Sequence, residues 1–260
     1  MKSKKIAVIL IAIAFVSVVI FSCFGIFSLK KVDVKFSVCA GTDTLEVQQT
    51  LDKFIGKNLL FLDETEVVSS IKDKQYMEVL SVKKQFPNVL SMEIRERREV
   101  YYVGVNDKVY VANEDGFVLK SFNATDLNGA RRDKIELNLS GLTIEKTEIG
   151  DYLKTSDDNL LKDVFEMAKS VNLTDCIKSI SVKTDIEIKD VVFSTYTGVQ
   201  IVVKEANVDG VAKVIEAFSA YDKNANDYEK TFKTILVFKE AEELGGQIRV
   251  DWVDGDPFND

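Results

Sequence analysis

Between Lys5 and Lys30 the chain carries no charged side chain. Ile6 to Leu29 is an uncharged run of 24 residues, and about 20 suffice to cross a bilayer as a helix. Ile, Val, Leu, Phe and Ala dominate it, and Ser17, Ser22, Cys23 and Ser28 are its polar side chains. Everything after it is too polar and too interrupted for hydrocarbon. The expectation is one transmembrane helix over 6–29, a tail over 1–5, and a body of about 230 residues on one side of the membrane. A cleaved secretory signal has a shorter core and small residues at its cut site, whereas Phe27 and Leu29 stand where those would be needed. Ile20-Phe21-Ser22-Cys23 leaves one alternative: a lipidated Cys23 that tethers a binding module with some other ligand. Lys2, Lys4 and Lys5 precede the run, and the positive-inside bias puts them in the cytoplasm. The body is then extracytoplasmic, in a single-pass type II arrangement in the cell membrane.

The whole chain has 260 residues and a net charge of -8. The body is long enough for one large or two small cores. Residues 30–99 are balanced, with 12 basic and 12 acidic side chains, while 100–260 carry 19 basic against 30 acidic. An acidic distal half argues against nucleic acid as a partner. Cys39 and Cys176 are the body's cysteines. One possible bridge is not a disulfide framework, and two buried free thiols are expected, with a Cys39–Cys176 bridge as the alternative. The chain has no His. That removes the commonest general base, the commonest zinc ligand and every Ser-His or Cys-His nucleophile. No catalytic residue, metal ligand or cofactor site is expected.

Val32, Val34, Phe36 and Val38 alternate with polar residues, which predicts a half-buried strand. Asp43 with Glu46, and Asp63 with Glu66, read as capping boxes at the starts of two helices. In the first helix Leu45, Val47, Leu51, Phe54 and Ile55 recur at helical spacing. Strands are predicted at Val79 to Phe86 and Val89 to Arg97, joined by a Pro87-Asn88 turn. The order β-α-α-β-β calls for two helices on one face of a three-stranded sheet.

This order and its words resemble a POTRA module. Gly56-Lys57-Asn58-Leu59-Leu60-Phe61-Leu62-Asp63 is similar to that family's G-x-N-x-F-x-L-D connection. Phe86-Pro87-Asn88-Val89-Leu90 with Ile94-Arg95-Glu96-Arg97 is similar to F-P-N-x-L followed by I-x-E-R. A short tail, one span and this module immediately outside the membrane resemble FtsQ/DivIB-type bacterial cell division proteins. The fold class is therefore α+β: a transmembrane helix, a POTRA domain over 32–99, a β domain over 100–253 and a flexible acidic tail over 254–260.

Beyond Val100 the pattern is one of short strands and turns. Val109 to Leu119, with Asp115 and Gly116, resembles the opening of the family's β domain, and Asp115 reads as a turn acid rather than a metal ligand. A helix is expected across Leu153 to Val171. Strands are expected at Ile177 to Val182, Ile186 to Thr195 and Val199 to Val203. A second helix spans Asp209 to Tyr221, with Val211, Val214, Ile215, Ala217 and Phe218 inward, and Lys213 matches a lysine common in this helix of the family. Phe232 to Glu240 and Gln247 to Val253 form a last hairpin.

A body that ends in a strand with no successor offers an exposed edge, and edge N–H and C=O groups are templates for another strand. The resemblance implies that use: the last strands accept a strand from a small single-span partner. By match, the partner-binding residues are Gln247, Ile248, Arg249, Val250, Asp251 and Trp252, backed by Thr234 to Phe238. The resemblance further implies a non-catalytic scaffold at the division septum. Its partners would be FtsB/DivIC-type and FtsL-type proteins, with other membrane division proteins meeting the POTRA domain and the lipid bilayer meeting Ile6 to Leu29.

Overall fold

The computed structural model describes residues 11, 13–18, 24–37, 44–126, 133–171, 176–184, 189–223, 233–241, 243 and 245–255. Cys23, Cys39, Asp43 and most of the charged tails lie outside them. Residues 13–18 and 24–26 are helical, with their aliphatic and aromatic side chains exposed. Among the described residues no helix is long and apolar enough to cross a membrane. The chain divides into two compact units, Met1–Arg97 and Arg98–Asp260.

The first unit runs β1 (Lys31–Ser37), α1 (Thr44–Asp52), α2 (Glu64–Ser69), β2 (Met77–Gln85) and β3 (Val89–Glu96), with sheet order β1-β3-β2. β1 pairs parallel with β3, and β2 antiparallel with it. Val47, Leu51 and Phe54 from the first helical segment meet Val67 and Ile71 over Leu90, Met92 and Ile94 of the central strand. Leu45 and Ile55, expected inward, are exposed. α1 ends at Asp52 and the chain turns, which swings Ile55 out of register with the helix. Asp63 caps α2, accepting hydrogen bonds from the Thr65 N–H (2.8 Å) and hydroxyl (2.7 Å). Glu66 turns instead to Lys57, at 2.7 Å. Asn58 accepts from the Leu60 N–H at 2.9 Å, so the connection between the helices is a side-chain-stabilised turn. This turn also receives the end of the apolar run. The Leu59 N–H donates to Phe27 and the Gly56 N–H to Leu29, and Leu29 is buried in the unit's core.

The second unit is built on nine strands in the order β14-β13-β12-β11-β10-β7-β4-β5-β6. The hairpins come first: β4 (Tyr101–Val105), β5 (Lys108–Ala112) and β6 (Val118–Asn123). β7 (Ile135–Asn138) joins β4 in parallel. A short two-stranded ribbon, β8 (Ile144–Lys146) with β9 (Lys154–Thr155), precedes α3 (Asp158–Ser170). The helix starts later than the Leu153 expected from the sequence, because Asp157 caps it, accepting from the Leu160 N–H at 3.0 Å. β10 (Ile177–Thr184), β11 (Lys189–Thr195) and β12 (Gln200–Val203) are antiparallel neighbours. α4 (Gly210–Lys223) crosses over to β13 (Lys233–Lys239), which is parallel to β12, and β14 (Ile248–Asp254) closes the chain as a hairpin partner of β13.

One core serves this unit. Leu160, Leu161, Val164, Phe165 and Met167 of α3, with Val214, Ala217 and Phe218 of α4, pack on the inward side chains of the sheet. α3 buries its whole apolar stripe and shows no large hydrophobic side chain to solvent. α4 differs. Val214, Ala217 and Phe218 are buried as expected, but Val211 and Ile215 are 39% and 45% exposed, and Lys213 is fully buried in their stead.

Candidate functional site

The six residues singled out from the sequence fall on and beside β14, at one end of the nine-stranded sheet. Gln247 lies just before the strand, and the strand extends one residue past the expected Val253, to Asp254. Among the described residues no strand pairs with its outer side. The register with β13 is continuous, from Lys239 opposite Ile248 to Lys233 opposite Asp254.

The phase of the ladder decides which groups face outward. The Glu240 N–H donates to the Gln247 carbonyl at 2.9 Å, and these two residues continue the same register. In an antiparallel pair, hydrogen-bonded and non-hydrogen-bonded positions alternate. Gln247, Arg249, Asp251 and Val253 therefore point their backbone groups at β13. Ile248, Val250 and Trp252 point theirs away from the sheet. The adjoining strand agrees: the Val237 carbonyl, opposite Val250, accepts from the Lys204 N–H at 2.9 Å, on the β12 side. Val250 thus holds an outward N–H and an outward C=O at the middle of an open edge.

The side chains alternate independently of the backbone groups. Ile248, Val250 and Trp252 are half-buried and pack against the helix-covered core. Trp252, opposite Ile235, is the chain's single tryptophan. Arg249 and Asp251 stand on the other face, joined at 2.9 Å, with Glu240 3.6 Å from the same guanidinium. The hydrogen bond and then the charge of Asp251, with a smaller pull from Glu240, hold Arg249 above its ordinary pKa. The Thr234 hydroxyl donates to the Gly255 carbonyl at 2.6 Å and pins the strand's far end.

Behind the edge, Lys213 sets the turn that feeds α4. Its Nζ donates to the carbonyls of Lys204 (2.7 Å) and Glu205 (3.1 Å), at the end of β12. Burial pushes this ammonium below its ordinary pKa, against the pull of Glu205, Asp209 and Asp190. Glu205 and Asp209 both take positive φ, 46° and 52°, in the segment it clamps. A lysine at this point was legible as a familial residue. Its burial was not, because helical spacing treats a charged residue as outward.

No group of three or more His, Cys, Asp or Glu side chains able to hold a metal ion occurs among the described residues. Asp115 sits in the turn before β6, bonded to Lys169 at 2.8 Å. A cleft of about 420 Å³ opens beside it, lined by Tyr152, Leu161, Phe165 and Lys169 among others. Lys154, Asp158, Lys162 and Glu166 line it too, and Lys169 bonds both Asp115 and Glu166, each at 2.8 Å. In the first unit a groove of about 410 Å³ lies between α2 and β2, floored by Val68, Val79, Leu80 and Val82. Cys176 is half-buried.

No family model matches the chain. Four curated relatives are similar to it, each called cell division protein DivIB. That of Clostridium botulinum strain Hall is 24% identical over 165 residues, 61% of this chain and 59% of the relative. That of Clostridium acetobutylicum is 21% identical over 169 residues, 64% of this chain and 59% of the relative. That of Clostridium tetani is 25% identical over 128 residues, 48% of each. The chain thus spans about 59% of the length of the first relatives it matches. These likenesses bear out the resemblance to the FtsQ/DivIB type read from the sequence.

Proposed function

We propose that this chain of FtsQ/DivIB type is a non-catalytic, membrane-anchored scaffold of the bacterial division machinery, linking late division proteins as the septum forms. The likeness to proteins named for cell division supports the process. The open β14 edge carries the mechanism: Ile248, Val250 and Trp252 hold outward N–H and C=O groups in a row, ready to receive a strand. The occupant is a strand of an FtsB/DivIC-type protein, with an FtsL-type protein bound alongside. Gln247 to Trp252 form the contact, and β13 is its rigid backing.

The first unit serves as a POTRA domain that meets other membrane proteins of the divisome. Its β-α-α-β-β order and the Gly56–Asp63 turn support that assignment. The apolar run is the anchor. With Phe27 to Leu29 engaged by the Gly56–Leu59 turn, Ile6 to Ile26 remains, about 21 residues, enough for one crossing. The lysines before it keep the amino terminus cytoplasmic and the body outside.

The test is binding of the full-length chain, in nanodiscs, to the FtsL-type and FtsB/DivIC-type proteins of the same organism. Backbone amides of Ile248, Val250 and Trp252 are expected to gain protection from hydrogen exchange on binding, and Trp252 fluorescence to shift with it. Binding that leaves those three amides unprotected would place the interface elsewhere.

A further inference from the structure

Two exposed aliphatic side chains on α4 lie beside this edge. α4 packs on β12, β13 and β14, which stand in that order across the sheet. Residues two apart on a helix lie about 200° apart around it. Lys213, between Val211 and Ile215, reaches the carbonyls at the end of β12, so its flank of the helix faces β12. Val211 and Ile215 are on the opposite flank, which faces β14 and the free edge. Both are exposed, at 39% and 45%. Every large apolar residue of α3, the helix over the middle of the sheet, is buried. The half-buried Ile248, Val250 and Trp252 lie on the same, helix-covered face. Together these five residues form an apolar shelf that ends where β14 ends.

We infer that the partner segment at β14 is an amphipathic strand whose alternate apolar side chains pack on Val211 and Ile215, and that this pair sets which strands are accepted. This rests on the edge reading given above. A strand added to β14 places every second side chain on the helix-covered face. Those positions lie over the shelf and bury its aliphatic groups, which favours Val, Ile, Leu or Phe there. The intervening positions meet Arg249 and Asp251, where Asp251 and Glu240 together outnumber the one guanidinium. Polar residues with a positive charge fit that face. Main-chain bonding at the edge is indifferent to sequence, so the shelf provides the discrimination.

The experiment compares three variants of the full-length chain in nanodiscs against the FtsL-type and FtsB/DivIC-type proteins. They are Val250→Pro, the double variant Val211→Ser/Ile215→Ser, and Ala212→Ser on the solvent side of α4. Melting curves and circular dichroism check the fold of each. The double variant is expected to bind at least about tenfold more weakly, Val250→Pro not detectably, and Ala212→Ser like the parent. In the parent protein, the methyl resonances of Val211 and Ile215 are expected to shift on binding, a readout that needs no substitution. Loss with the proline but parent-like affinity in the double variant, with unmoved methyls, overturns the shelf and leaves the edge reading standing. Parent-like binding by all three variants overturns both, as does a folded parent that binds neither protein.

Discussion

The nine-stranded sheet has two ends, and they are finished differently. β6 is closed off. The Val118 N–H donates to Asp151 and the Gly150 N–H to Val118, both at 2.9 Å, and Phe117 bridges to Tyr152. Lys120 sits on this strand, paired with Glu99 and lying over the Phe122 ring. A covering loop and an edge lysine are standard protections against unwanted strand addition. β14 has neither. Its charged residues Arg249 and Asp251 point to the face away from the helices, and its outward backbone groups belong to apolar residues. Among the described residues, one end of the sheet is thus covered at its first residue and carries an edge lysine, while the other end is open.

The comparison breaks most sharply with proline. The Ala124 N–H donates to Asp107, and the register β5–β6 continues from that pair. By the same alternation Ser121, opposite Tyr110, points its N–H outward. Ser121→Pro and Val250→Pro therefore each remove an outward donor without touching a ladder bond. Val250→Pro is expected to reduce partner binding below detection, and Ser121→Pro to leave it within about twofold. Both should melt near the parent temperature. Asp251→Pro is the inward counterpart: it strands the Leu236 carbonyl and should cost about 1–3 kcal/mol of stability. Equal loss of binding in the Ser121 and Val250 variants would erase the distinction between the two ends.

The closed end should be the more costly to disturb in stability. Gly116, in the turn that starts β6, has φ +79°, and a Cβ there would lie 2.4 Å from Cε2 of Phe165. Phe165 is core, its ring tilted 36° to that of Tyr101 with centroids 5.3 Å apart. Gly116→Ala is expected to cost about 2–3 kcal/mol through overpacking and backbone strain, which lowers the melting temperature by roughly 5–10 °C. Asn113→Ala should follow at about 1–2 kcal/mol. Buried Asn113 accepts from the N–H groups of Asp115 (3.0 Å) and Phe117 (2.7 Å). Neither substitution should weaken partner binding per folded molecule, as measured by calorimetry at a temperature where both variants are folded.

What the sequence disclosed follows the same division. Alternation placed Ile248, Val250 and Trp252 on one face of a strand, and β14 has that face against the core. Asp63 and the turn acid Asp115 were legible from cap and turn chemistry. Three other features were not. Which backbone groups of β14 face out depends on the register with β13, a long-range fact with no local signal. The cover over β6 comes from residues 150–153, some 30 positions downstream. Helical periodicity put Val211 and Ile215 inward because it assumes that lysine is outward. Lys213 finds two carbonyl acceptors at the end of β12, and its burial rotates the aliphatic pair out to solvent.

The smallest expected effect lies between the two ends and tests whether they are independent. Asp157 caps α3 through the Leu160 N–H, and its other oxygen takes the Lys189 ammonium at the start of β11. The Lys189 hydrogen bond, then the Leu160 N–H, holds its carboxyl below the ordinary value of 3.8. A depressed folded-state pKa stabilises the fold above the unfolded value, and that stabilisation is lost as pH falls through the folded one. Asp157→Ala should therefore cost about 1 kcal/mol near neutral pH and shallow the decline of stability below about pH 4. Asp157→Asn keeps the cap but not the charge, so it should restore most of the neutral-pH stability while leaving the acid slope shallow. Denaturant melts at pH 3, 4 and 7 separate the two. Because Asp157 touches neither edge strand, partner binding at pH 7 should be unchanged in both variants. A loss there would mean that the open edge depends on how the central helix is seated, and the two ends of the sheet could no longer be treated as separate devices.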